Sequence, residues 1–166
     1  TVEYVKSYIN KYNLDNWLIR VNKPNLGWRK NFMKAIHDSI GDVVFTCDQD
    51  DIWDENKIKY MSEIMVNHNE INLLTSNFYE LYSDNSLKEI KYSESEEMLI
   101  KVSLPTNLLN CPFPGCVQCI RKSFYNKYIQ YWLDTCPHDA FFWRTAILDE
   151  SAYICNRSLI KWRKHE

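Results

Sequence analysis

Asp48, Asp50 and Asp51 crowd three carboxylates into four positions, directly after the apolar run Val43-Val44-Phe45-Thr46-Cys47. An apolar, β-branched run of this kind reads as a strand buried on both faces, as the strands of parallel sheets are. In open α/β sheets, ligands bind at the carboxyl ends of such strands. Carboxylates this close raise one another's pKa. A divalent cation relieves that repulsion, and hard oxygen ligands suit Mg²⁺ or Mn²⁺. The three aspartates are therefore candidates to hold a metal or a metal-bound phosphate. The plainer alternative is an acidic turn that caps the helix starting near Glu55.

Three chemistries use an Asp-x-Asp after a strand. A calcium-binding helix–loop–helix would need Asp or Asn at position 52 and Gly at 53; Ile52 and Trp53 stand there. A phosphatase of the haloacid-dehalogenase type would use the first Asp as nucleophile. It normally continues to Thr or Val where this chain has Ile52, and its motif lies on the first strand of the domain. The third is the Asp-x-Asp of nucleotide-sugar transferases, which holds a divalent ion against a leaving diphosphate.

The elements around this turn follow from periodicity. Val2, Val5 and Ile9 predict an amphipathic helix over residues 1–13, and the run Trp-Leu-Ile-Arg-Val at 17–21 predicts a strand. Pro24 and Asn25 mark a loop. Gly27 opens a helix to about Ile40, with Phe32, Ala35, Ile36 and Ile40 inward and Gly41 as a left-handed cap. Ile58, Met61, Ile64 and Met65 stripe the next helix. Residues 71–78 read as a strand, returning through a turn at 83–86 to a hairpin partner at 87–92. Residues 93–98 are an acidic loop, and 105–114 are irregular. Residues 116–120 read as a strand, and Ser123 caps a helix to about Leu133. His138-Asp139 open an aromatic helix, followed by two short strands at 152–155 and 159–162. This order argues for an α/β layered domain in the first half and mixed α and β in the second.

With 166 residues, the chain suits one domain with a sizeable core. A net charge of −2 implies no surface for nucleic acid or another polyanion. No apolar run reaches the length of a membrane span, and no signal-peptide pattern appears, so the cytoplasm is the expected compartment. Cys116 and Cys119 have the spacing of metal ligands, with Cys136 and His138 as further donors. A second such pair is absent, and this one falls in a strand, which argues against zinc.

Beyond these patterns, the order of motifs is that of a known family. Asn25-Leu26-Gly27-Trp28-Arg29-Lys30-Asn31, Gly41-Asp42 and Asp48-Gln49-Asp50-Asp51-Ile52-Trp53 resemble a family 2 glycosyltransferase of the GT-A fold. Pro114-Gly115-Cys116-Val117 with Ile120-Arg121-Lys122 resembles the family's acceptor-side segment, and His138-Asp139 and Trp162-Arg163-Lys164-His165 follow in place. The Asp-Gln-Asp-Asp-Ile-Trp wording is similar to bacterial transferases that build rhamnose-containing and other surface polysaccharides. The implied architecture is a three-layer α/β/α domain, with a nucleotide-sugar and metal half over 1–92 and an acceptor half over 93–166.

The resemblance implies residue roles. Asp50 is the main metal ligand, with Asp48 beside it and His165 reaching in from the C-terminal side; the ion is Mn²⁺ or Mg²⁺. Asn25, Gly27, Lys30, Asp48 and Asp51 line the nucleotide pocket, and Asp139 is the general base. The reaction is transfer with inversion from a nucleotide-sugar donor to a glycan or lipid-linked acceptor, at the inner face of the membrane. Plainer readings make Asp139 a helix cap, Lys30 a solvated residue and Trp53 a packing residue. The family begins with two strands that this chain lacks. That predicts a fragment with a gap between residues 17–21 and 43–47, and keeps open a non-catalytic nucleotide- or glycan-binding remnant.

Overall fold

In this computed structural model, which describes residues 1–104, 108 and 110–165, alternation along the strands sends successive side chains into two separate apolar layers. Leu73, Ile120 and Ile154 join one cluster, while their neighbours Leu74, Cys119 and Cys155 join the other. Such strict alternation requires a sheet covered on both sides. The strands are β1 (Val43–Phe45), β2 (Ile52–Trp53), β3 (Leu73–Leu81), β4 (Leu87–Ile90), β5 (Leu99–Lys101), β6 (Gln118–Arg121) and β7 (Ala152–Arg163). They form one sheet in the order β1-β6-β3-β7-β2, with β4 on β3 and β5 on β7.

One face is covered by α3 (Lys57–Asn67) through Met61 and Met65. The other carries α2 (Gly27–Asp38), α4 (Lys122–Tyr128) and α5 (His138–Leu148), which bury Met33, Ile36, Phe124, Phe142 and Trp143. The result is an α/β/α sandwich, the three-layer architecture that the resemblance implies. α1 (Val2–Tyr12) buries no residue fully. Among the described residues, no helix is long and apolar enough to cross a membrane.

Two basic residues tie helix ends to the sheet. The Arg121 guanidinium donates to the carbonyls of Met65, His68 and Ile71 at the end of α3. Lys122 Nζ donates to Ile36 O and His37 O at the end of α2. Orphan carbonyls of a helix C-terminus attract such cations.

Several expectations from the sequence need correction. β1 is half-buried, and among the described residues its sheet partner is the antiparallel β6; it is an edge strand, not one buried within a parallel sheet. Residues 17–21 are not a strand. They find no ladder partner among the described residues, and Leu18 and Val21 remain largely exposed at 78% and 67%. α2 stops at Ser39 in extended conformation, so Gly41 is not a left-handed cap and Ile40 faces solvent. The helix from Ser123 is shorter, passing at Ile129 into a 3-10 turn. The two short strands near the C-terminus are one strand, β7, parallel to β3 with register shifts after Cys155 and Ser158. β5 lies where only a loop and its surroundings were expected. Of the irregular stretch at 105–114, residues 105–107 and 109 lie outside the described residues.

Candidate active site

The acidic turn (residues 48–51) leaves β1 at the sheet edge and is gripped by the end of β7. Arg163 N donates to Asp51 Oδ1 at 2.9 Å, and Arg163 Nε donates to the Asp50 carbonyl at 3.0 Å. His165 Nε2 is hydrogen-bonded to Asp50 Oδ2. Asp48, Gln49 and Asp50 on one side and Trp162, Arg163, Lys164 and His165 on the other line a cleft of about 330 Å³. Asp48, Asp50 and His165, the residues expected to hold a metal, thus meet in one cleft. Two further cations, Arg163 and Lys164, stand there for an anionic ligand.

Burial, and then the negative fields of Asp51, Asp50 and Asp139, push the Asp48 carboxyl above the usual aspartate range. Asp51 is turned inward, and its Oδ2 is buried without a hydrogen-bond partner. Donor atoms of Asp48, Asp51 and Cys116 lie within 4.8 Å of one another. This inner group could hold a cation through its carboxylates. Cys116 is 1% exposed, and burial pushes its thiol pKa far up. A thiol must ionise to ligate well, so Cys116 is a poor ligand beside the two carboxylates. The hard carboxylates and the imidazole at the cleft mouth fit Mn²⁺ or Mg²⁺.

Asp139 reaches the same region from the first turn of α5. Its field acts on Asp48, 91 positions earlier in the chain. Gly115 links the two. Its carbonyl accepts a hydrogen bond from Thr46 Oγ1 at 2.6 Å, at the end of β1. Its α-carbon lies against His138: an added Cβ would stand 2.4 Å from the imidazole Nε2. His138 is 4% exposed and stacks on Phe32 of α2 with centroids 4.4 Å apart. Burial lowers its pKa. Asp139 also accepts the Ala140 backbone N–H at 2.7 Å, from within the first turn, while Pro137 holds the cap position.

The expected nucleotide-pocket residues divide between places. Asp48 and Asp51 belong to the acidic turn. Asn25 Oδ1 accepts the Gly27 N–H, and both residues line a groove with Val2, Ile19, Val21 and Trp28. Gly27 carries φ +70°, so the loop entering α2 needs glycine's freedom. Lys30 Nζ pairs with Asp134 at 2.8 Å.

Sequence reasoning missed Lys57. It is fully buried beneath the acidic turn, where it donates to the Cys116 carbonyl and lies 3.7 Å from the Trp53 ring centroid. A lysine at the start of a helix is ordinarily solvated, and no spacing signal marks it. Cys116 and Cys119 do not form a zinc pair: they enter opposite core clusters, and all six cysteines are free.

Comparison with known proteins places these features in a family. Residues 1–143 match glycosyl transferase family 2. The dTDP-rhamnosyl transferase RfbG of Shigella flexneri is 28% identical over 162 residues, covering 91% of this chain and 53% of that protein. Crystal structures of S. aureus TarS share the fold. The one in complex with UDP-GlcNAc superposes with a TM-score of 0.73 at 16% identity, over 98% of this chain and 46% of that one. Another crystal structure of TarS residues 1–349 gives a TM-score of 0.70 at 16% identity, over 98% of this chain and 47% of that one. The chain spans about half the length of the relatives it matches. It belongs to glycosyl transferase family 2.

Proposed function

We propose that this chain is a glycosyltransferase catalytic domain, with donor and acceptor halves, that uses a nucleotide-sugar donor and a divalent cation and inverts the anomeric centre. The observation that carries the reading is the convergence of Asp139 on the cleft of Asp48, Asp50 and His165, through the contacts of Gly115 with Thr46 and His138.

Asp50 and Asp48, with His165, hold a divalent cation, Mn²⁺ or Mg²⁺. When bound, that cation supplies Lewis-acid stabilisation of a leaving diphosphate. Arg163 and Lys164 add fixed positive charge at the same cleft. Asp51 braces the turn from inside through the Arg163 N–H. Asn25, Gly27 and Lys30 contribute to the nucleoside side. Asp139, half-buried at a helix N-terminus, takes the proton of the acceptor hydroxyl as that oxygen attacks the anomeric carbon from the face opposite the diphosphate. Residues 1–92 carry donor recognition and 93–166 the acceptor side. The likeness to a dTDP-rhamnosyl transferase supports a sugar donor of the rhamnosyl type; the acceptor in this reading is a glycan or a lipid-linked sugar of a surface polysaccharide, met at the cytoplasmic face of the membrane.

The test is calorimetric titration of UDP and dTDP, with and without Mn²⁺, into the wild-type protein and Asp50→Ala. Metal-dependent binding that Asp50→Ala abolishes supports the reading. Release of inorganic phosphate from small phosphoesters, lost on Asp48→Asn, would instead mark a phosphatase. No nucleotide binding, alone or within a longer chain, would overturn the transferase reading.

A further inference from the structure

Lys57 is placed against two rules of protein stability. It carries its ammonium into the interior with no exposed surface, and it is the first residue of α3. An isolated buried charge is costly, and a helix N-terminus repels a cation. Burial lowers its pKa to about 8, with Asp51 among the groups that oppose the shift. A neutral residue would suit the core better, so the position calls for a reason other than stability. Local rules are broken in this way mostly at functional sites.

The contacts supply the reason. Nζ donates to the Cys116 carbonyl, 59 positions away, and lies over the Trp53 ring, which closes the acidic turn on its other side. Thr46 bonds the adjacent Gly115 carbonyl. Two neighbouring carbonyls of the 115–117 segment are therefore held by side chains that flank the acidic turn. Asp48, Asp51 and Cys116 gather above this anchor.

We propose that Lys57 is a positioning residue: its buried ammonium ties the acidic turn to the 115–117 segment and so sets the spacing of the carboxylates that hold the cation. The inference rests on the reading of Asp48 and Asp50 as cation holders. Lys57→Met keeps the chain length and apolar body and removes the charge and the donor. Lys57→Gln keeps an N–H for the Cys116 carbonyl.

The experiment combines Mn²⁺ titration, thermal unfolding and amide hydrogen exchange on the same three proteins. Lys57→Met is expected to unfold at or above the wild-type midpoint, yet to bind Mn²⁺ at least tenfold more weakly. Exchange should speed up at residues 48–53 and 114–118 and stay unchanged in α4 and α5. Lys57→Gln should recover at least threefold of the lost affinity; if Lys57→Met does not fold, an intermediate affinity and exchange in Lys57→Gln carries the test. Unchanged or tighter Mn²⁺ binding, or exchange unchanged at both segments, overturns the proposal. If the wild type binds no Mn²⁺, the cation reading fails, and local exchange alone decides whether Lys57 positions the turn.

Discussion

Gly115 and His138 are fitted to each other so closely that no side chain can stand between them: a Cβ on Gly115 would lie 2.4 Å from the imidazole Nε2. The contact joins the end of β1, through Thr46, to the first turn of α5. Gly115→Ala should cost about 1–3 kcal/mol, as overpacking in a tight core does. His138→Ala alone leaves a cavity beside Phe32 and is also destabilising. In the His138→Ala background, however, Gly115→Ala should be nearly neutral. A urea-denaturation double-mutant cycle measures this coupling; additive costs would mean that the imidazole does not set the glycine requirement.

Arg121 is a structural clamp rather than an acceptor-binding cation. Its guanidinium satisfies the Met65, His68 and Ile71 carbonyls. Arg121→Ala should lower stability by about 2 kcal/mol, given the strength of hydrogen bonds from charged groups. Nucleotide affinity measured by calorimetry should stay within twofold of wild type.

Asp149 closes α5 and accepts hydrogen bonds from Tyr128, Lys127, Ser151 and Asn72. Burial pushes its carboxyl up, but these donors together outweigh burial and hold it below the usual aspartate range. A carboxyl with a lowered folded pKa stabilises the fold fully above its unfolded pKa. That stabilisation is lost as pH falls through the folded value. Asp149→Asn should therefore cost about 2 kcal/mol near neutral pH. In unfolding midpoints recorded from pH 6 down to pH 2.5, the gap between wild type and variant should narrow only below about pH 4.

Asp139→Asn separates base from backbone acceptor. Asparagine keeps an oxygen for the Ala140 N–H, so the fold and the affinity for UDP or dTDP should persist. Turnover in a chain long enough to act should fall ~100- to 10,000-fold, the usual contribution of a positioned base. Rates within threefold of wild type would leave Asp139 as a backbone acceptor only.

What the sequence disclosed, and what it hid, follows from the range of the interactions involved. The acidic turn, the 71–78 strand and the hairpin through Asn85 carry local signals, namely charge crowding, apolar runs and a left-handed turn residue at φ 65°. Residues 17–21 carry the same apolar signal as a strand, yet a strand exists only with a partner, and pairing is not written locally. Asn156 and Arg157 interrupt the apolar runs at 152–155 and 159–162, which therefore read as two strands. The two residues are a bulge, since β3 runs alongside on both sides of them. At the site, Asp48 and Asp50 announce themselves by spacing. Lys57 does not, because its burial depends on a carbonyl 59 positions away.

The bulge in β7 has a consequence for insertions and deletions. From Ala152 to Lys161, β7 advances nine residues while β3 advances six from Leu73 to Tyr79. The surplus is odd, and side chains on a strand change sides at every step. Along β7 the alternation nevertheless keeps step across the bulge, with Ala152, Ile154, Ile160 and Trp162 on one core cluster and Tyr153, Cys155 and Leu159 on the other, and it is β3 that changes step, Leu73 and Phe78 sharing a face. Loss of one residue at 156–158 would put Ile160, Trp162 and Arg163 out of step with Ala152 and Ile154. Loss of two would restore the parity. The end of β7 is thus tuned to an odd-or-even count more than to a length, and lineages that trim this bulge should do so in pairs.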